Sequence, residues 1–142
     1  MSAKQESEAL LNALLPLAEK MLRQYGEFYP YGGYMKPDGE IVEVGAGDPD
    51  TDHPKSKDLI YVLRSSLQEL AERNECKAVA MVFAVSVTLP NSDRKSDAIQ
   101  VTLEHSEGYS ADVFFPYQLV ANELVYGETF AQRGRTDVFA QA

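Results

Sequence analysis

From Glu8 to Tyr25 the apolar residues Leu11, Leu14, Leu15, Ala18, Leu22 and Tyr25 recur every three or four positions, the spacing of one buried stripe on an amphipathic helix. Gly26 supplies the left-handed stop. Pro16 lies inside this pattern; it lacks an amide hydrogen and crowds the preceding turn, so it predicts a kink. Phe28 to Met35 then carries strand-forming aromatics, Lys36-Pro37-Asp38-Gly39 has the residues of a tight reversal, and Glu40 to Val44 reads as the return strand. In that strand Ile41 and Val42 alternate with Glu40 and Glu43, which marks a wet face or a sheet edge.

Gly45 to Pro54, with three aspartates, two glycines and two prolines, reads as an exposed loop. A second helix is expected from about Ser56 to Asn74, with Leu59, Ile60, Leu63, Leu67, Leu70 and Ala71 on its buried side and Ser56 or Asp52 as its cap. Lys77 to Leu89 is a long central strand in which Val79, Met81, Phe83, Val85, Val87 and Leu89 alternate with Ala78, Ala80, Val82, Ala84, Ser86 and Thr88. The smaller set allows another layer or a partner to approach closely.

Ala98 to His105 alternates in the same way and pairs with that strand as a hairpin across the polar connection Pro90 to Asp97. Ser110 to Tyr117 is the next strand and Leu124 to Ala131 the last clear one, leaving Thr136 to Ala142 unassigned. The reading is a single α+β domain, residues 1–142, in the order α-β-β-α-β-β-β, with about five to six mostly antiparallel strands and the two main helices packed on one sheet face. Roadblock-like and profilin-like domains share this order of elements, an analogy that carries no function.

Composition narrows the classes of function. A 44% apolar fraction over 142 residues supports a real core. With 22 acidic against 13 basic side chains the net charge is −9, which repels nucleic acid and favours a basic protein partner. The single cysteine, Cys76, excludes an internal disulfide and fits a reducing, cytoplasmic setting. No stretch approaches the roughly 18 apolar residues of a membrane span, so no membrane contact is expected.

Candidate chemistry is sparse. Asp48, Asp50 and Asp52 stand at alternate positions beside His53, an oxygen-rich pattern that suits a hard cation, but counting twelve residues from Asp48 puts His53 and Leu59 where a calcium loop needs glycine and glutamate. A solvated loop or binding loop is the better reading, and no metal site is assigned. His53 and His105 are the only histidines available as a general base, and no serine lies in a nucleophile elbow. No catalytic residue and no cofactor is therefore assigned. Tyr29, Tyr31 and Tyr34, with Phe28 and Pro30, form the densest aromatic cluster, which is core by default and a binding patch if Tyr29 and Tyr31 prove exposed.

The segments Leu14-Leu15-Pro16-Leu17-Ala18-Glu19-Lys20-Met21-Leu22, Gly26-Glu27-Phe28-Tyr29-Pro30-Tyr31-Gly32, Val113-Phe114-Phe115-Pro116-Tyr117 and Tyr126-Gly127-Glu128-Thr129-Phe130-Ala131-Gln132 resemble those of a group of small uncharacterised bacterial proteins. The resemblance implies a bacterial, single-domain, stand-alone protein and brings no activity with it. The sequence thus points to a non-catalytic protein-binding module, inhibitor or immunity-like in its acidity, with the aromatic hairpin and the loop Asp48 to His53 as contact candidates. Two other readings stand beside it: a small-molecule-binding domain or enzyme with a pocket between helices and sheet that uses Tyr29, Tyr31 or His105, and a homodimer through an exposed sheet face or edge.

Overall fold

In the computed structural model, which describes residues 1–45 and 56–139, the first helix α1 spans Ala3–Tyr25, longer at its start than the apolar stripe suggests. The extension has a local cause. Ser2 caps the helix, its hydroxyl accepting from the Gln5 amide at 3.1 Å while the Gln5 side chain accepts from the Ser2 amide at 2.9 Å. At the other end Gly26 adopts φ 75° and donates back to the Leu22 carbonyl, as its sequence position demands.

Strands β1 (Tyr31–Met35) and β2 (Ile41–Gly45) form the first hairpin, helix α2 (Ser56–Glu72) follows, and β3 (Ala78–Thr88), β4 (Lys95–His105), β5 (Ser110–Val120), β6 (Glu123–Tyr126) and β7 (Phe130–Arg133) complete the chain. All pairings among them are antiparallel, in the order β2-β1-β3-β4-β5-β6, with β7 also against β5. The α+β class and the expected order of elements hold.

The two helices do not share a face. Leu10, Leu14, Ala18 and Leu22 of α1 pack on Ala78, Ala80 and Val82 of β3 with Ile99, Val101 and Leu103 of β4. Leu63 and Leu67 of α2 instead join Val79, Met81 and Val138 on the opposite side. Both faces of β3 are apolar in its first half, so each requires its own cover, and the expectation of one helical face is corrected to a sheet held between two helices. The smaller set of β3 side chains is the one beneath α1. Gly33 of β1 contributes to the same close approach, since a Cβ there would stand 2.9 Å from a Leu14 methyl.

Helix α1 continues through Pro16 because another residue mends the ladder there. The Tyr31 hydroxyl accepts from the Ala18 amide at 3.0 Å and donates to the Leu14 carbonyl at 2.5 Å, sitting between the two groups that an unbroken helix pairs directly. Pro16 itself faces solvent. Tyr31 is thereby a core residue, and burial raises its hydroxyl pKa beyond the ordinary tyrosine range.

Two strands replace the one expected over Leu124 to Ala131. β5 and β6 turn at Ala121-Asn122, where both residues have positive φ (51° and 66°) between the paired Val120 and Glu123. That is the backbone of a two-residue primed turn, for which alanine is a poor signal. Between β6 and β7 the partner strand carries Pro116, whose carbonyl accepts from Gly127 at 2.8 Å, and the register skips from Tyr117↔Tyr126 to Phe114↔Phe130, a one-residue bulge.

Two stability experiments follow from these contacts. Tyr31→Phe, measured by urea unfolding, lowers stability by about 2 kcal/mol because it strands a buried amide and carbonyl, and the loss shrinks in a Pro16→Ala background where the ladder can close by itself. Ala121→Asn raises stability by about 0.5–1 kcal/mol, since asparagine tolerates the left-handed region better than alanine; an unchanged midpoint would contradict the turn assignment.

Candidate functional site

The aromatic residues marked in the sequence are dispersed by the fold. Tyr29 precedes β1 and is 48% exposed, Tyr31 is buried inside α1's cover, and Tyr34 is half-buried on the opposite face against the α2 cluster. They form no shared patch. Residue spacing alone would put Tyr29 and Tyr31 on one strand face, but the strand begins only at Tyr31, so Tyr29 is outside its alternation. Asp48, Asp50, Asp52 and His53 lie outside the described residues.

His105 is also withdrawn from chemistry. It is buried, its Nδ1 accepts from the Glu107 amide at 3.0 Å, and its Nε2 therefore carries the proton donated to Glu6 at 3.0 Å. The other Glu6 oxygen meets Lys77 at 2.5 Å, so Glu6 fastens the start of α1 to both strands at one end of the β3–β4 pair. Neither Tyr29, Tyr31 nor His105 lines either recess described below. Cys76 is buried and free, and desolvation, with the nearby Glu75 charge, pushes its thiol up to about 11. Such a thiol is a poor nucleophile. Among the described residues no group of three or more histidine, cysteine, aspartate or glutamate side chains is arranged to hold a metal ion.

The concave and apolar features lie elsewhere. The β4–β5 ladder ends at Asp97↔Tyr117, whereas β3–β4 runs on to Thr88↔Lys95 and β5–β6 to Val120↔Glu123. Two hairpin ends therefore run on past the point where β4 and β5 are paired. Between them is a groove of about 540 Å³ lined by Leu89, Pro90, Pro116, Val125, Tyr126 and Phe130 among others. Beside it Val120 and Val125 are 55% and 51% exposed, and Leu119 and Tyr126 are also exposed. Tyr126 is positioned by α1, donating to Glu19 at 2.7 Å, and burial together with that bond raises its pKa. Phe130 stacks on Phe114 with centroids 4.9 Å apart and forms the far wall. The sequence reading missed this site because it ended β5 at Tyr117, short of the turn at Ala121-Asn122, and took β6 and β7 as one strand.

A second, smaller cleft of about 270 Å³ opens on the α2 face, where α2 stops short of β4 and β5. Its wall is the C-terminal strap. Glu104, buried at 6% exposure, accepts from the amides of Asp137 (2.8 Å), Val138 (3.0 and 3.1 Å) and Phe139 (2.5 Å), so one carboxylate holds three successive backbone groups of the segment left unassigned in the sequence.

Set against protein-family profiles, curated proteins and solved structures, the chain finds no match in any of the three. No helix among the described residues is long and apolar enough to cross a membrane.

The Glu6 contacts have a pH signature. Its carboxyl is held below the usual glutamate range, first by the Lys77 hydrogen bond and then by that of His105. A lowered folded-state value contributes stability that is present above the unfolded-state pKa and is lost as pH falls through the folded one. Glu6→Gln is therefore expected to cost about 2 kcal/mol at neutral pH, with the gap to the parent closing below about pH 4 in urea titrations run across pH.

Proposed function

We propose that the protein is a non-catalytic protein-binding module whose partner is a basic protein, engaged at the groove between the β3–β4 and β5–β6 hairpins. The observation that carries this reading is the exposure of large apolar side chains at the groove's end of the sheet, Val120 and Val125 on one face of the β5–β6 hairpin and Leu119 and Tyr126 on the other. Exposed apolar side chains beside a groove are a usual footprint of a protein contact. The net charge of −9 steers a basic partner toward the protein, while the groove's own charged lining is Arg94, Lys95 and Glu128. Inhibition or immunity-like neutralisation of a basic enzyme or toxin is the concrete form of this role. In the same proposal the protein is bacterial and cytoplasmic, in keeping with the resemblance of its quoted segments and with its lone cysteine.

The groups that ordinarily perform catalysis support the non-catalytic side of the proposal. His105 has both nitrogens engaged internally, and Cys76 is buried with a raised pKa.

Affinity capture with identification of the bound protein tests the reading, paired with a Val125→Arg variant whose unfolding midpoint is checked. The expected result is a basic partner whose association slows by about tenfold or more when ionic strength rises from about 0.05 M to about 0.5 M, and which Val125→Arg no longer retains. An acidic partner, or retention unaffected by Val125→Arg, would contradict it. A salt-insensitive homodimer by light scattering that Val125→Arg dissolves would assign the groove to a second copy of the chain instead.

A further inference from the structure

The cleft beside α2 holds charges of both signs, of which only Arg64 and Asp137 form an ion pair, and a loose one. Arg64 reaches in from α2, Asp112 from β5, and Arg135 and Asp137 from the strap that follows β7. The nearest approach between opposite charges is 3.9 Å, from Arg64 Nε to Asp137 Oδ2, and Arg135 and Asp112 make no contact ion pair among the described residues. Arg64 Nε is fully buried and has no acceptor among the described residues. Such a donor takes its acceptor from outside the chain, as a water or as the acceptor group of a ligand.

The Arg64 and Asp137 side chains are 36% and 41% exposed, so their loose approach is that of partly hydrated groups rather than a buried pair closed to direct contact. Here the groups stand around a space. Glu104 is not part of the set, since its oxygens are occupied by the strap amides. Burial raises the Asp112 carboxyl above the usual aspartate range, and a hydrogen bond from Gln132 and the charge of Arg135 offset only part of that, so a cationic donor would improve its environment. Apolar walls come from Met81 and Phe83 of β3.

We propose that this cleft binds a small zwitterion of the α-amino-acid class, its carboxylate on Arg64 and Arg135, its ammonium on Asp112 and Asp137, and an apolar side chain against Met81 and Phe83. Three features select that class. A bare anion would meet two carboxylates, a bare cation two guanidinium groups, and the volume of about 270 Å³ lies just under the range usual for drug-sized ligands. The occupant is separate from the protein partner proposed above, because the hairpin groove and the cleft have no lining residue in common.

The test is titration of the full chain with free leucine, methionine and phenylalanine, and with their N-acetyl and methyl-ester forms, followed by amide NMR shifts and calorimetry. The expected result is saturable shifts at the β4 and β5 amides around the cleft, with acetylation and esterification each weakening binding by about tenfold or more. Asp112→Asn should remove the preference for the free amine and Arg64→Gln the preference for the free carboxylate, with the fold confirmed by the amide spectrum. If either variant fails to fold, the discrimination between parent and blocked amino acids decides the matter alone. Absence of shifts with all three amino acids at about 10 mM would overturn the proposal, as would equal binding of the blocked forms. Acetate or inorganic phosphate binding as tightly as the amino acids would make the cleft a plain anion site and overturn it too.

Discussion

The structure depends on how closely helix α1 can lie on its sheet, and a single hydroxyl governs that contact. Pro16 denies the helix one amide on its solvent side. Tyr31 then bridges Leu14 and Ala18 with its hydroxyl, so a residue of the first strand becomes part of the helix ladder. Ala78, Ala80 and Gly33 beneath it leave the room that this seating needs. Helix and sheet are thus specified together: the turn that Tyr31 enters would leave polar groups unmet without the strand, and the strand would bury a hydroxyl without that turn.

Commitment of one sheet face to α1 sets the character of the other. Helix α2 covers only the first half of β3 with Leu63 and Leu67, and the C-terminal strap, held by Glu104, closes part of what remains. What neither covers is where recognition can occur. The strap leaves a charged cleft against β4 and β5, and the far ends of the hairpins run past the β4–β5 ladder with Val120 and Val125 exposed on the face opposite α1. The candidate binding surfaces are therefore consequences of incomplete helical cover, and both lie away from the aromatic hairpin that dominates the sequence.

Much of the secondary structure was legible because period and punctuation agree within short windows. Gly26 ends α1, Gly39 takes φ 97° in the first hairpin turn, and the alternation of Val79, Met81 and Phe83 with alanines marks β3. The misses are equally physical. Ser2 and Gln5 form a capping box ahead of the apolar stripe, so the helix begins before its hydrophobic signal does. Ala121-Asn122 makes a primed turn without glycine, so β6 had no marker. The site residues were harder still: Arg64, Asp112, Arg135 and Asp137 come from three separate regions of the chain and share no local pattern.

By itself the sequence determined which segments are helix and which are strand, and that the sheet is antiparallel, because those properties follow from neighbours a few residues apart. Only the tertiary structure decided that the helices take opposite faces, that Tyr31 serves α1 rather than a surface, and that Glu104 gathers the C-terminal strap. Each of those outcomes joins residues more than a dozen positions apart, through burial and hydrogen bonding. No local preference encodes such contacts; they arise when two apolar faces of one strand must both be covered and every enclosed polar group must find a partner.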